Sequence, residues 1–164
     1  MASNISLGLF VILAAVGLAQ RGATPPAASP ATSSDATARI VAAAQALVST
    51  LDAAGRATVQ FPFDGPQKAR WSNLPSGAFQ RRGLRMGDLA PGQRSAVMSL
   101  LRTALSPDGY RKVTEIIRGD EVLRTARRGG VTFGEDEYYL AFVGTPSATA
   151  VWMLQFGGHH LAIN

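Results

Sequence analysis

The sequence contains no cysteine, and this absence removes several kinds of chemistry. Disulfide bridges are excluded, so a stable fold must rest on an ordinary hydrophobic core. Thiolate metal ligands are excluded as well, so a metal site would have to use histidine and carboxylate groups. A lipoprotein anchor cannot form either, because it needs a cysteine after the signal.

Lysine and long apolar runs are also scarce. Lys68 and Lys112 are the only lysines, so arginine supplies nearly all of the 16 basic residues, against 11 acidic residues and a net charge of +5. No nucleic-acid-binding motif accompanies this charge, and we expect no nucleic-acid partner. The positive net charge instead favours contact with acidic small molecules, anionic lipid or cell-wall polymers.

The apolar run from Ile5 to Ala19 is shorter than the about 20 residues that a membrane span needs. It has the length of the apolar core of a secretory signal, with small residues before a cleavage position after Ala19 and a second candidate at Ala23. No lysine or arginine precedes the run, so an uncleaved anchor and a buried helix are the alternatives. We predict a signal peptide over residues 1–19, export to the periplasm or the extracellular space, and membrane contact only if the segment stays uncleaved.

Residues 20–37 are rich in alanine, proline, serine and threonine. They cannot bury enough apolar surface to fold, which predicts a disordered linker. Residues 38–164 then carry the periodic patterns of a single folded domain.

Helical and strand-like patterns both occur in this domain. Within residues 40–51, apolar side chains recur on one helical face, and the helix they predict is expected to end near Gly55. Pro91 and Pro107 fit the first positions of two further helices. The second of these helices is expected to break or bend at Gly119. Strand-like runs are listed here in chain order: RATVQF (56–61), EYYLAFV (137–143), AVWMLQF (150–156) and HHLAIN (159–164). Together they predict an α+β fold with helices on a largely antiparallel sheet, and the apolar last strand indicates an incomplete fragment.

Three segments carry a resemblance to a known family: FPFDGPQKARWSNLP (61–75), RRGLRMGDLAPGQRSAVMSLLRTALSPDGY (81–110) and YYLAFVGTPSATAVWMLQFGGHHLAIN (138–164). Their order resembles the family catalogued as domain of unknown function 3500, over about residues 38–164. The segment from Trp152 to Leu161 is the most specific. Because family members are typically about twice as long, the resemblance implies a missing C-terminal half, and it implies no established activity.

One position departs from the family pattern. Ala90 stands where the family tends to have threonine or serine, which with Gln93 would form a capping box at the helix that starts at Pro91. The missing side-chain cap is expected to cost roughly 0.5–2 kcal/mol of stability and to affect function less.

His159 and His160 are the only histidines and form the first candidate site. Neighbours in a strand point to opposite faces, so we expect one ring to face a pocket and the other to pack or orient. Histidine is both a common metal ligand and the usual acid–base group near neutral pH, which makes the pair a catalytic candidate and a candidate ligand set for a divalent metal ion. The alternative is one structural and one surface histidine, since no His-Glu-x-x-His spacing is present.

The second candidate site is the glycine- and proline-rich segment from Pro62 to Ala90. Loops of this length in compact domains are usually functional or wrap a core. Guanidinium groups suit carboxylates and phosphates, while aromatic side chains pack or contact ligands. The predicted ligand-binding residues are Arg70, Trp71, Arg81, Arg82 and Gln155, with solvated surface charge as the alternative.

Two functions follow from these sites. One is an exported hydrolase in which His159 or His160 serves as metal ligand or acid–base group, completed by residues of the missing half. The other is a noncatalytic exported module that binds a ligand through its aromatic and arginine-rich loop. No Gly-x-Ser-x-Gly nucleophile motif and no phosphate-binding loop is present in the sequence.

Overall fold

The computed structural model of the chain describes residues 32–125 and 129–164. The predicted signal peptide and most of the predicted linker lie outside these described residues. Within them, no helix combines the length and the apolar character that crossing a membrane requires.

The described residues form four α-helices, and their packing on a small sheet confirms the predicted α+β class. The helices are α1 (Ser33–Ser49), α2 (Ala53–Val59), α3 (Pro91–Ala104) and α4 (Pro107–Leu123). Short 3₁₀ turns occupy Pro66–Ala69, Met86–Asp88 and Glu135–Glu137. Helices α1 and α3 bury their apolar faces against each other and against the sheet, in a core that includes Leu47, Val97, Leu100, Leu101, Phe142 and Phe156.

Helix α1 starts inside the segment that was predicted to be linker. Thr32 caps it, because its hydroxyl accepts a hydrogen bond from the Asp35 backbone at 3.3 Å. The Asp35 carboxylate accepts one from the Thr32 backbone at 3.2 Å in return, which completes a capping box. Residues 33–37 are therefore helical, and the linker prediction is wrong for them.

The predicted strand over residues 56–61 is mostly helix. Asp52 caps α2 by accepting a 2.7 Å hydrogen bond from the Gly55 backbone, so Gly55 lies inside a helix rather than ending one. Only the last two residues of the run, Gln60–Phe61, form a strand. A good N-cap outweighs the strand preference of Thr58 and Val59 here. Gly119 likewise does not interrupt α4, which continues to Leu123.

The sheet is mixed and mostly antiparallel. Its strands are β1 (Gln60–Phe61), β2 (Leu84–Arg85), β3 (Tyr139–Val143), β4 (Met153–Gly158) and β5 (Leu161–Ile163). Strand β3 is central: β1 pairs with it in parallel, β2 pairs antiparallel further along, and β4 pairs antiparallel with both β3 and β5. The β4–β5 hairpin and the long loop between β1 and β2 carry the predicted site residues.

Candidate functional site

The two histidines form the turn of the β4–β5 hairpin. Gly158 pairs with Leu161, so His159 and His160 are the two loop residues between the strands. His160 has a φ of 59°, in the left-handed region that suits a tight turn, and its backbone donates a 2.9 Å hydrogen bond to the Asn73 carbonyl. The prediction that the histidines begin a strand and point to opposite faces is therefore wrong.

His159 is held by a buried carboxylate. Its Nδ1 lies 2.6 Å from Oδ1 of Asp120, a residue of α4 whose side chain is 2% exposed. The other carboxylate oxygen of Asp120 accepts a 3.0 Å hydrogen bond from the Gly134 backbone. A carboxylate on Nδ1 fixes the orientation of an imidazole and favours the tautomer with the proton on Nδ1, which leaves Nε2 to exchange a proton or bind a ligand.

Aromatic groups surround this imidazole. The His159 ring centre lies 5.0 Å from that of Phe133 and 3.8 Å from that of His160. The buried Tyr138 hydroxyl donates a 3.0 Å hydrogen bond to the His159 carbonyl. Burial, followed by the negative charge of Asp120, raises the pKa of Tyr138, so this phenol stays protonated and remains a donor.

The two adjacent, mutually tilted histidine rings do not fit a shared metal ion. Two imidazoles on one tetrahedral ion, each with its nitrogen about 2.0–2.1 Å from the metal, hold their ring centres roughly 5 Å apart. The observed 3.8 Å separation is shorter. The described part of the chain also contains no group of three or more histidine, aspartate or glutamate side chains that could hold a metal. The geometry thus disfavours an ion shared by the two rings, and the acid–base role of a single imidazole stays a prediction.

The five predicted ligand-binding residues lie around one cleft beside the hairpin. Arg70, Trp71, Arg81, Arg82 and Gln155 all line it. The remaining walls come from strand β3 and the β4–β5 hairpin, from Gln67 and from Ser72. Among the described lining residues three are arginine and no side chain is acidic. We call this site the arginine cleft.

Arg81 joins the arginine cleft to the histidine turn. Its Nη2 lies within hydrogen-bonding distance of the carbonyl oxygens of Ser72 (2.8 Å), Leu74 (2.6 Å) and Gly158 (2.7 Å). Its Nη1 is buried and has no hydrogen-bond partner among the described residues. Burial lowers the pKa of Arg81, yet the group stays charged at neutral pH because an arginine starts from so high a value. Arg81 thus contributes a partly buried positive charge to the cleft while it holds the loop in place.

Arg70, Arg82 and Trp71 form the accessible part of the cleft. Arg70 donates a 2.8 Å hydrogen bond to the Gln80 carbonyl, and the Arg82 guanidinium lies 4.8 Å from the centre of the Phe61 ring. Neither arginine forms a salt bridge with a described carboxylate, so neither charge is neutralised and both can meet an anion. Trp71 is 59% exposed, an unusual position for a large aromatic ring outside a binding surface.

Gln155 packs against a second glutamine at the buried side of the cleft. Its amide nitrogen donates to the backbone carbonyls of Gln67 (3.2 Å) and Lys68 (3.3 Å). Its carbonyl accepts a 3.0 Å hydrogen bond from Nε2 of Gln67. Gln155 is therefore a structural contact that fixes Gln67, and both N–H groups of its own amide are used by these partners.

Sequence reasoning missed two residues of these sites, Asp120 and Gln67. Asp120 occurs in the sequence as one of several acidic residues on a polar helix. Its one distinguishing signal is its position four residues after Ile116 and seven after Val113, on the buried face of α4. An acidic residue at such a position requires a partner, and that requirement could have singled it out.

The fold and the two neighbouring sites define an α+β domain that combines an arginine-rich cleft with a carboxylate-bound histidine. Residues 33–164 match the model of the family described as protein of unknown function, DUF3500. This match covers most of the chain, so the protein belongs to that family, as the sequence resemblance implied. No curated protein and no solved structure matches the chain.

Proposed function

We propose that the protein binds an anionic small molecule in the arginine cleft. The observation that carries this proposal is the convergence of three guanidinium groups on one cleft without an acidic lining residue among those described. Like charges that are held together repel each other, and a bound anion relieves that repulsion. Arginine is also the side chain best suited to bidentate contacts with carboxylates and phosphates.

Paired arginine variants test this proposal. Arg70→Gln with Arg82→Gln removes two charges from the cleft, whereas Arg39→Gln with Arg118→Gln removes two exposed charges from helices α1 and α4. Titration calorimetry with citrate and with pyrophosphate measures the affinity. We expect the cleft pair to weaken binding about tenfold or more and the helix pair to change it less than about threefold. Equal losses of affinity in the two double variants would show that binding depends on net charge alone, and would contradict a site in the cleft.

A second candidate function is hydrolysis, with His159 as the acid–base group. The specific observation in its favour is the 2.6 Å contact between His159 Nδ1 and the buried Asp120. A catalytic base is commonly oriented in this way by a carboxylate on its far nitrogen. Asp120 is then a positioning residue, and the arginine cleft next to the hairpin would hold the substrate.

Three substitutions test the hydrolase candidate on a panel of nitrophenyl esters, phosphates and glycosides. If one substrate is turned over, His159→Gln should lower kcat by about 10²-fold or more, and Asp120→Asn should lower kcat with little change in KM. His160→Gln, an exposed neighbour in the same turn, is the matched control. Metal analysis of the same variants shows whether any activity depends on an ion. Retention of full activity in His159→Gln would refute this candidate. The contact of Asp120 with His159 would then serve only to link α4 to the hairpin.

A further inference from the structure

Two large apolar side chains are exposed in the loop between β1 and β2. Trp71 is 59% exposed and Leu74 is 51% exposed. The backbone that carries them is fixed, because the carbonyl oxygens of residues 72–74 all have hydrogen-bond partners. Nη2 of Arg81 contacts the first and the third at 2.8 and 2.6 Å, and the backbone of His160 donates to the second at 2.9 Å. The folded domain therefore holds this apolar segment at its surface.

The same loop carries positive charge without carboxylate partners. Lys68, Arg70 and Arg82 form no salt bridge with a described carboxylate. Asp64 is the only acidic residue of the loop, which spans residues 62–83. Most of the described basic side chains that follow this loop in the chain do pair with carboxylates. The exposed apolar segment thus lies in a loop whose positive charge is not compensated.

The arginine cleft next to this segment is small. Its free volume is about 40 Å³, and a water-sized group needs about 10–15 Å³ of such space, so the cleft has room for about three of them. That is the size of one acidic group and not of a larger body. An anion that meets Arg70 and Arg82 must therefore keep the rest of its structure outside the cleft, where the exposed Trp71 ring lies at the rim.

We propose that the β1–β2 loop docks on an anionic lipid bilayer. Trp71 and Leu74 enter the interfacial layer of the bilayer. Arg70 and Arg82 contact lipid phosphates, whose oxygens suit the guanidinium forks. The inference rests on the proposed anion-binding function and names the source of the anion. It extends membrane contact, which the sequence predicted only for residues 1–19, to the folded domain.

A lipid surface fits these features better than an acidic protein does. A specific protein interface buries about 800 Å² on each partner and needs closely matching shapes. Two exposed apolar side chains in one loop fall short of such an interface. A bilayer is fluid, presents many phosphates and accommodates tryptophan at the level of its headgroups, so it needs no matching shape.

Sedimentation with lipid vesicles tests the apolar contact on the full chain. The vesicles contain phosphatidylcholine alone, or equal parts of phosphatidylcholine and phosphatidylglycerol. Trp71→Ser with Leu74→Ser removes the proposed interfacial side chains, whereas Val122→Ser with Val151→Ser removes two exposed apolar side chains outside the loop. We expect the loop pair to weaken binding to the anionic vesicles about tenfold or more, and the valine pair to change it less than about threefold. Any binding through residues 1–19 is common to both double variants.

Tryptophan fluorescence follows the contact without changing the loop. Trp71 and Trp152 are the only tryptophans, so Trp152→Phe leaves Trp71 as the single reporter. Its emission should shift to shorter wavelength when the anionic vesicles are added, because the ring leaves water for the interfacial layer. Vesicles of phosphatidylcholine alone should produce a smaller shift.

Arginine variants and a soluble phosphate test the source of the anion. Arg70→Gln with Arg82→Gln should weaken binding to the anionic vesicles about tenfold or more, and Arg39→Gln with Arg118→Gln less than about threefold. Glycerol 3-phosphate, which carries the phosphate of a lipid without its chains, should bind at least about tenfold more weakly than the anionic vesicles, because it offers no apolar layer to Trp71.

The outcomes distinguish this inference from the function on which it rests. Equal losses in the loop pair and the valine pair, or an unshifted Trp71 emission, would overturn the lipid contact. If citrate or pyrophosphate binds but vesicle binding does not depend on the loop, the lipid inference fails and anion binding stands, with a soluble anion or an acidic protein as the occupant. If neither the soluble anions nor the anionic vesicles bind through Arg70 and Arg82, the proposed function fails as well.

Discussion

Single charged residues at the β2–β3 junction show how this small sheet is held together. Arg85 of β2 contacts Glu137 at 2.6 Å and Asp88 at 2.8 Å. Glu137 is buried at 8% exposure, and burial by itself would raise its pKa, but hydrogen bonds and charge from Arg85, with smaller contributions from neighbouring hydroxyls, hold that pKa below its ordinary value. The ion pair therefore stabilises the fold as long as the carboxylate is ionised.

The depressed pKa of Glu137 predicts an acid-sensitive contribution to stability. It is fully present above the ordinary glutamate pKa of about 4.3 and is lost as the pH falls through the lower pKa of the folded state. Glu137→Gln should lower the free energy of unfolding by on the order of 1 kcal/mol at pH 7 and by less near pH 3. Urea unfolding at both pH values measures the difference.

Glu115→Gln is the matched control for this prediction, because the Arg111–Glu115 pair is exposed on α4. An exposed i,i+4 pair contributes little, so Glu115→Gln should lower the free energy of unfolding only slightly. A loss for Glu137→Gln that is no larger than this, or that does not shrink in acid, would contradict the role given to Glu137.

The sequence singled out five residues that line the arginine cleft, but not the partner of His159. Arg70, Trp71, Arg81 and Arg82 lie within one loop, so their proximity follows from the chain itself. Asp120 lies 39 residues from His159 and meets it only because α4 packs beside the hairpin. Contacts of this kind depend on tertiary packing, which periodicity within a segment does not report.

At the scale of the element, the start of α3 has half of a capping box. The Gln93 side chain accepts a 3.0 Å hydrogen bond from the Ala90 backbone, but Ala90 has no side-chain oxygen to accept one in return. Restoring that oxygen completes the reciprocal pair that helix starts favour.

We therefore expect Ala90→Ser to stabilise the protein by about 0.5–1 kcal/mol. Thermal and urea unfolding measure the gain. Ala42→Ser, at an exposed position inside α1, makes the same chemical change where no cap exists and should be slightly destabilising. Equal changes in the free energy of unfolding for the two substitutions would show that the missing cap at Ala90 does not limit the stability of the protein.

Helices that begin with a clear cap or with proline at the first position were predictable from the sequence, whereas short elements were not. Pro91 and Pro107 at first helical positions, with Ser106 as a cap, marked α3 and α4 correctly. The helix α2 was misread as a strand because its seven residues are too few for a helical period to appear. The histidine turn was misread because an apolar alternation follows it directly, and a two-residue turn without glycine or asparagine lacks the usual signature.

At the scale of the whole molecule, the fold class followed from the order of patterns, whereas the sheet arrangement did not. The largely apolar run at residues 137–143 correctly indicated a central strand, which the structure places at Tyr139–Val143 and buries on both faces. Strands β1 and β2 contain two residues each, and both pair with β3 from distant parts of the chain. Such pairings are selected by the packed core, so a local pattern could not have predicted the parallel β1–β3 contact.

Arg81 has a consequence for how the two sites behave together. One nitrogen of its guanidinium serves the Ser72 carbonyl, next to Trp71, and the Gly158 carbonyl, next to His159. A ligand in the cleft that displaces this nitrogen must shift both the backbone beside Trp71 and the backbone beside His159. Thermodynamic linkage then makes the influence mutual, so that a molecule bound at the His159 imidazole would alter the affinity for the occupant of the cleft by the same factor by which the occupant alters the affinity of the imidazole for that molecule.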